Sequence, residues 1–294
     1  MTDKYQEAIS RSTVTEDDAA VTAAVEKILA EHMQENCNQD VYKLLFNTID
    51  LTTLNGTDSP QSVARFTERV NDFDREYPML PNVAAICVYP NFAQVVRAVL
   101  EESDVRIACV SGGFPASQTF NEVKIAETAL AVDGGADEID IVLNIGNFLD
   151  GDYEAVCDEI IEQKAACRDS HLKVILETGA LRTAAAIKRA SILALYSGAD
   201  FLKTSTGKGY EGATPQAAYV MCQCIKEYYE ATGTRVGFKA SGGVSTTADA
   251  VKYYTIVKEV LGEEWLNNDL LRLGASRLAN NLLGDILGQE IKFF

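Results

Sequence analysis

The 294-residue sequence predicts an α/β fold, a (β/α)8 TIM barrel with an N-terminal helical extension. Two observations lead to this prediction. Eight short runs of strand-forming residues occur along the chain, six of them end in Gly, Ser, Thr or Asn, and a segment of helical periodicity follows every run. Such alternation requires a parallel sheet, and a barrel of eight units takes about 250 residues. We expect residues 1–40 to form the extension and residues 41–294 the barrel.

Strands and helices alternate through the whole predicted barrel. The strands are predicted at 48–54, 83–89, 105–111, 138–144, 172–178, 201–206, 236–241 and 271–274. The helices are predicted at 61–77, 92–102, 118–133, 153–168, 183–197, 215–231, 247–261 and 277–287. An open doubly wound sheet is the alternative, but no G-x-G-x-x-G motif follows the first strand. In the extension, apolar residues at helical spacing and a candidate capping residue, Thr15, predict one helix over 15–35.

Composition excludes several classes of partner. With 26 basic and 43 acidic residues the net charge is −17, a surface that repels nucleic acid and anionic lipid. No run approaches the roughly 20 apolar residues that span a bilayer, and the first ten residues lack the apolar core of a secretory signal. The seven cysteines contain no C-x-x-C pair, which indicates reduced thiols in the cytoplasm.

Charged residues occupy the inward-facing positions of five predicted strands, opposite the apolar residues. They are Asp50, Asp140, Lys173, Glu177, Lys203 and Lys239. Side chains alternate faces along a strand, so all six are expected inside the barrel. Desolvation costs several kcal/mol per ion, so these charges are expected to compensate one another. They then form either an inert polar plug or a catalytic network.

Two buried lysines close together have a chemical consequence. Each disfavours protonation of the other, and burial acts in the same direction. One of them can then be a neutral amine near neutral pH, the state that a Schiff-base nucleophile requires. The carboxylate of Asp140 could accept or relay protons. Alternation alone leaves open which lysine is the nucleophile.

Glycine-rich turns follow the last three predicted strands, at 205–209, 241–245 and 274–276. Backbone N–H groups in such turns bind phosphate, although each turn alone could be an ordinary strand-to-helix connection. No metal or other cofactor is expected, because the two histidines, His32 and His171, are too few for a zinc cluster. A carboxylate-bound magnesium is the remaining alternative.

Several segments together resemble the deoxyribose-phosphate aldolase family. The most specific are DFLKTSTGK at 200–208 and GFKASGGV at 237–244. ADEIDIV at 136–142, IDLTTL at 49–54, AAICVYP at 84–90 and LKVILETG at 172–179 are similar to the family too. The resemblance implies a class I aldolase that interconverts 2-deoxy-D-ribose 5-phosphate with D-glyceraldehyde 3-phosphate and acetaldehyde, in deoxyribonucleotide and carbohydrate catabolism.

The resemblance also implies residue roles. Lys203 is the Schiff-base lysine, Lys239 lowers the pKa of Lys203, and Asp140 transfers protons. The residues implied in phosphate binding are Gly207, Lys208, Gly242, Gly243, Gly274 and Ser276. The further substrate-binding residues are Asp50, Thr52, Cys87, Lys173 and Thr204. Ser245 stands where an arginine is common in the family, and Arg277 is the candidate substitute.

Two alternative functions stay open from the sequence. One is a different Schiff-base aldolase or a transaldolase acting on another sugar phosphate. The other is a barrel that binds phosphosugars without turnover. The expected partners are a small phosphorylated sugar and acetaldehyde, and the sequence leaves open a homo-oligomer such as a dimer.

Overall fold

The computed structural model describes residues 3–294, and its centre is a closed barrel of eight parallel strands. The strands are β1 (Ile49–Thr52), β2 (Ala85–Val88), β3 (Arg106–Ser111), β4 (Glu138–Val142), β5 (His171–Ile175), β6 (Phe201–Lys203), β7 (Gly237–Ser241) and β8 (Leu271–Ala275). Each strand pairs with its neighbours in chain order, and β8 closes on β1. The predicted TIM barrel is confirmed. The open-sheet alternative is wrong, because a sheet that closes has no edge strands.

Three helices precede the first strand: α1 (Asp3–Arg11), α2 (Asp18–His32) and α3 (Gln39–Asn47). The predicted helix at 15–35 is confirmed as α2, but the predicted capping residue is wrong. Asp17 caps α2, because its carboxylate accepts from the backbone N–H groups of Ala19 at 2.9 Å and Ala20 at 3.2 Å. The hydroxyl of Thr15 accepts from the N–H of Asp17 instead.

A helix follows every strand and packs on the outside of the barrel. These helices are α4 (Pro60–Glu76), α5 (Ala93–Val99), α6 (Asn121–Asp133), α8 (Tyr153–Cys167), α10 (Ala184–Tyr196), α11 (Pro215–Thr232), α12 (Thr247–Leu261) and α13 (Arg277–Leu287). Two short helices, α7 (Ile145–Leu149) and α9 (Thr178–Leu181), come soon after β4 and β5. Helices α1, α2 and α3 lie against the outer ring, with α2 on α11 and α12. Within residues 3–294, no helix is both long and apolar enough to cross a membrane.

The core lies between the barrel and this ring of helices. The outward faces of the strands supply its inner wall, for example Ile139, Ile141, Val174 and Phe238, all fully buried. This is the apolar set that strand alternation predicts. Each buried aliphatic or aromatic side chain contributes roughly 1.5–3 kcal/mol, so the core can offset the desolvation of charges inside the barrel. All seven cysteines are free.

Candidate active site

Seven charged side chains from six strands meet inside the barrel, and each is at most 4% exposed. We call them the barrel charge cluster: Asp50, Glu138, Asp140, Lys173, Lys203, Lys239 and Arg272. Five of the six inward charges expected from alternation belong to it. Glu138 and Arg272 were missed, although Glu138 shares a strand face with Asp140 and Arg272 alternates with two buried leucines.

Glu177 is the expected inward charge that makes no ion pair in the cluster. Strand β5 ends at Ile175, and the backbone of Glu177 is left-handed with φ 54°. Its side chain is buried, and its carboxylate accepts from the Thr206 hydroxyl at 2.5 Å and from the Thr206 N–H at 3.2 Å. Glu177 therefore connects the end of β5 to the turn after β6.

Asp140 is the centre of the cluster. Its Oδ2 accepts from Lys203 Nζ at 2.7 Å and from Lys239 Nζ at 2.7 Å, while its Oδ1 accepts from Lys173 Nζ at 3.0 Å. Burial alone would raise the pKa of Asp140, but the three ammonium groups hold that pKa well below its ordinary value. Asp140 is therefore ionised at neutral pH.

The three lysines differ in how many carboxylates they contact. Lys203 contacts Asp140 alone. Lys239 contacts both Asp140 and Asp50. Lys173 contacts Glu138 at 2.5 Å, Asp140 at 3.0 Å and Asp50 at 3.5 Å. Lys203 therefore has the least compensation for the cost of burying an ammonium.

This difference separates the pKa values of the lysines. Burial lowers the pKa of Lys203; Asp140 opposes the shift, and the charge of Lys239 adds to it. Burial also disfavours the charged forms of Lys239 and Lys173, but their carboxylates outweigh it and raise both pKa values. Lys203 is thus the lysine of the three that most readily becomes a neutral amine.

A cavity of about 430 Å³ opens at the carboxyl ends of the strands. Lys203 is the only member of the barrel charge cluster that lines it. The glycine-rich turns and the start of α13 form much of the remaining wall. Among the residues implicated by the sequence, the cavity wall contains Thr52, Gly207, Lys208, Gly242, Gly243, Gly274 and Ser276. Arg277 and Ser245 line the same cavity.

Two of these glycines are required by the geometry of the wall. Gly242 has φ +81°, and a Cβ there would lie 2.9 Å from the Cα of Gly212. A Cβ on Gly274 would lie 2.8 Å from the Cβ of Ser241 and 3.1 Å from the Cε of Lys239. These close approaches bring the backbone of the turns up to the cavity.

The remaining residues from the sequence lie beside or beneath the cavity. The hydroxyl of Thr204 bonds to the backbone of Ser241, accepting from its N–H at 3.0 Å and donating to its carbonyl at 3.1 Å. Cys87 is fully buried in β2, and burial raises the pKa of its thiol. Lys208 Nζ donates to the carbonyl of Leu54 at 2.8 Å, which joins the turns after β6 and β1.

One surface group in the described part of the chain could hold a metal ion. The ligand atoms of His32, Glu35 and Glu259 lie within 4.8 Å of one another. None of these residues lines the cavity, and Lys258 already donates to Glu35 at 3.1 Å. This surface group is therefore separate from the candidate active site.

Comparison with known proteins decides the family. The model of the DeoC/LacD family aldolases matches residues 44–259, a span that contains six members of the barrel charge cluster. The chain belongs to the DeoC/LacD family of aldolases. This match, together with the named relatives below, confirms the resemblance of its motifs to the deoxyribose-phosphate aldolases.

Named relatives agree with this family. The human deoxyribose-phosphate aldolase is 39% identical over 249 residues, which are 80% of this chain and 77% of the human protein. The mouse deoxyribose-phosphate aldolase is 37% identical over 287 residues, 92% of this chain and 89% of the mouse protein. The tetrameric deoxyribose phosphate aldolase of Aeropyrum pernix shares the fold, with a TM-score of 0.66, 23% identity and coverage of 86% of this aldolase and 95% of that chain.

Proposed function

We propose that this aldolase reversibly cleaves 2-deoxy-D-ribose 5-phosphate to D-glyceraldehyde 3-phosphate and acetaldehyde through a Schiff base on Lys203. The observation that carries the proposal is that Lys203 belongs to the barrel charge cluster and also lines the cavity. Burial lowers the pKa of its ammonium, and a single, shared carboxylate opposes the shift. The human and mouse relatives support the choice of substrate.

The first half of the reaction forms the Schiff base. The neutral amine of Lys203 attacks the aldehyde carbon C1 of the open-chain sugar, and loss of water from the carbinolamine gives an iminium ion. A positive charge thus returns to the lysine nitrogen. Asp140 Oδ2 lies 2.7 Å from that nitrogen, so its carboxylate is placed to stabilise the charge as it forms.

The second half breaks the carbon–carbon bond. A base removes the proton of the C3 hydroxyl, the C2–C3 bond breaks, and its electron pair moves towards the iminium nitrogen to give an enamine. Glyceraldehyde 3-phosphate leaves. Protonation of the enamine at C2 and hydrolysis release acetaldehyde and restore the amine. We assign the proton relay to Asp140, through a water molecule.

The cavity wall is suited to hold the phosphate. The turns that contain Gly207, Gly242 and Gly243 bring backbone N–H groups to it, and Lys208 and Arg277 add positive charge. Helix α13 begins beside the cavity, and its first turn has no side-chain cap. Its free N–H groups therefore favour an anion at that place.

Replacing Lys208 with methionine is expected to raise KM for deoxyribose 5-phosphate by roughly 10- to 100-fold, the loss of one charge-assisted hydrogen bond. The rate at which borohydride traps acetaldehyde on Lys203 should not change, because acetaldehyde has no phosphate. Lys226→Met, at an exposed position on α11, is the matched control. Steady-state kinetics of sugar-phosphate cleavage and the rate of acetaldehyde trapping measure the difference. An equal loss in both reactions would contradict a role of Lys208 in phosphate binding.

Borohydride trapping tests the proposed function directly. Acetaldehyde and borohydride together should fix a two-carbon adduct on Lys203, located by peptide mass. An adduct on another lysine would overturn the assignment of the nucleophile, and no adduct with tight phosphosugar binding would favour a non-catalytic barrel. Comparing cleavage of deoxyribose 5-phosphate with that of fructose phosphates separates this activity from another Schiff-base aldolase or a transaldolase.

A further inference from the structure

Glu138 and Arg272 are almost completely buried, although neither makes an ion pair with Lys203. Glu138 and Arg272 form a two-point ion pair, with Arg272 Nη2 2.7 Å from Glu138 Oε1 and Arg272 Nη1 3.0 Å from Glu138 Oε2. Phe201 packs beside them, its ring centroid 5.8 Å from both Arg272 Cζ and Lys173 Nζ. Neither Glu138 nor Arg272 lines the cavity.

Each member of this pair also contacts one group closer to Lys203. Glu138 Oε2 accepts from Lys173 Nζ at 2.5 Å, and Lys173 in turn donates to Asp140. Arg272 Nη1 donates to Asp50 Oδ1 at 2.7 Å, and Asp50 in turn accepts from Lys239. Two chains of contacts therefore run from the pair to the carboxylate that Lys203 shares.

We infer that Glu138 and Arg272 are positioning residues for Lys203, which fix how the carboxylates of Asp50 and Asp140 are divided among the three lysines. The inference rests on the proposed function, in which Lys203 is the nucleophile. Desolvated ions cannot be compensated by water, so each lysine competes for the same few carboxylate oxygens. A change at Glu138 or Arg272 must therefore alter how strongly the Asp140 carboxylate interacts with Lys203.

The charges of Glu138 and Arg272 shift the protonation equilibrium of Lys203 in opposite directions. Without the charge of Glu138, Lys173 interacts more strongly with Asp140, and the interaction of Asp140 with Lys203 weakens. Without the charge of Arg272, Asp50 attracts Lys239 more strongly, and Asp140 becomes more available to Lys203. Removing Glu138 thus favours the neutral amine of Lys203, and removing Arg272 favours its ammonium.

Other charged or titratable groups also act on Lys203, and the variants compared below leave these residues unreplaced. Asp140 on β4, Lys239 on β7 and Cys87 on β2 influence it directly. Glu177, beyond the end of β5, is close enough for its own pKa to respond to Lys203 after the larger effects of burial and Thr206. Lys173 on β5 and Asp50 on β1 act through Asp140 and Lys239.

The test is the pH dependence of borohydride trapping by acetaldehyde in the full chain. Trapping requires the neutral amine, so its rate rises with pH through a midpoint. For Glu138→Gln the midpoint should move to lower pH, and for Arg272→Gln to higher pH, each by about half a unit or more. Arg272→Lys, which keeps the charge, should stay close to wild type.

Opposite shifts distinguish positioning from a purely structural role, which would reduce the amount of folded protein without moving the midpoint. Unchanged midpoints in both variants, or shifts in the same direction, would overturn the inference.

If the buried variants do not fold, Arg106→Gln replaces them, since Arg106 is a third exposed and lies 3.1 Å from Glu138. It should produce a smaller upward shift, and no shift would overturn the inference. Failure of the wild-type chain to form a Lys203 adduct would instead refute the proposed function.

Discussion

Replacing Lys203 with methionine is expected to abolish both the borohydride adduct and aldol cleavage, with activity falling on the order of 10⁴-fold or more. Methionine has nearly the same length but no amine, so neither carbinolamine nor iminium can form. The fold should persist, because the site is almost fully buried and an apolar side chain removes the desolvation cost of an ammonium. Kinetics and peptide mass after trapping measure the loss.

Lys239→Met is the matched control, since Lys239 is an equally buried lysine bonded to the same Asp140 oxygen. This variant should still form the adduct. Its trapping midpoint should move to higher pH, because burial continues to lower the pKa of Lys203 but the charge of Lys239 no longer does, and Asp140 has one fewer competitor. The rate of aldol cleavage should therefore fall at neutral pH and recover at alkaline pH. A fully active Lys203→Met variant would contradict the assignment of the nucleophile.

Replacing Asp140 with asparagine is expected to separate trapping from cleavage. Cleavage should fall about 10²- to 10⁴-fold, the usual effect of losing a group that transfers protons. Lys203 loses its only carboxylate partner, and burial then lowers its pKa further, so the trapping midpoint should move to lower pH. The free energy of unfolding should fall by about 3–5 kcal/mol, because three buried lysines lose a shared carboxylate.

Denaturant unfolding and pH profiles of both reactions check this prediction. Asp169→Asn, at an exposed position, is the control and should change none of the three measurements. A variant that traps acetaldehyde and cleaves the sugar phosphate as well as wild type would show that Asp140 does not relay protons. A midpoint that moves to higher pH would contradict the electrostatic account of Lys203.

Strand alternation predicted much of this site. The faces of β4, β5 and β7 follow from the apolar residues that alternate with Asp140, Lys173 and Lys239. The same rule, applied to every position, would also have found Glu138 and Arg272. It fails at Glu177, where the strand has ended and the backbone is left-handed.

The unequal contacts of the lysines could not be predicted from the sequence. They depend on register, which places Lys173 opposite Asp140 and Lys203 opposite Lys239. Register in a closed barrel is set by the stagger of all eight strands together, so no single segment encodes it. The boundary between the extension and the barrel at residues 40–41, a dimer and a cytoplasmic location stay predictions.

An NMR titration of the lysine side chains, with the Lys203 signal assigned by its loss in Lys203→Met, tests the central claim most directly. The claim is that one shared carboxylate only partly offsets the burial of the Lys203 ammonium, so the pKa of Lys203 lies below that of an exposed lysine. We expect Lys203 to titrate clearly below the pKa of about 10.4 of an exposed lysine, while Lys239 and Lys173 titrate above it. A Lys203 midpoint at or above that of an exposed lysine would contradict the account.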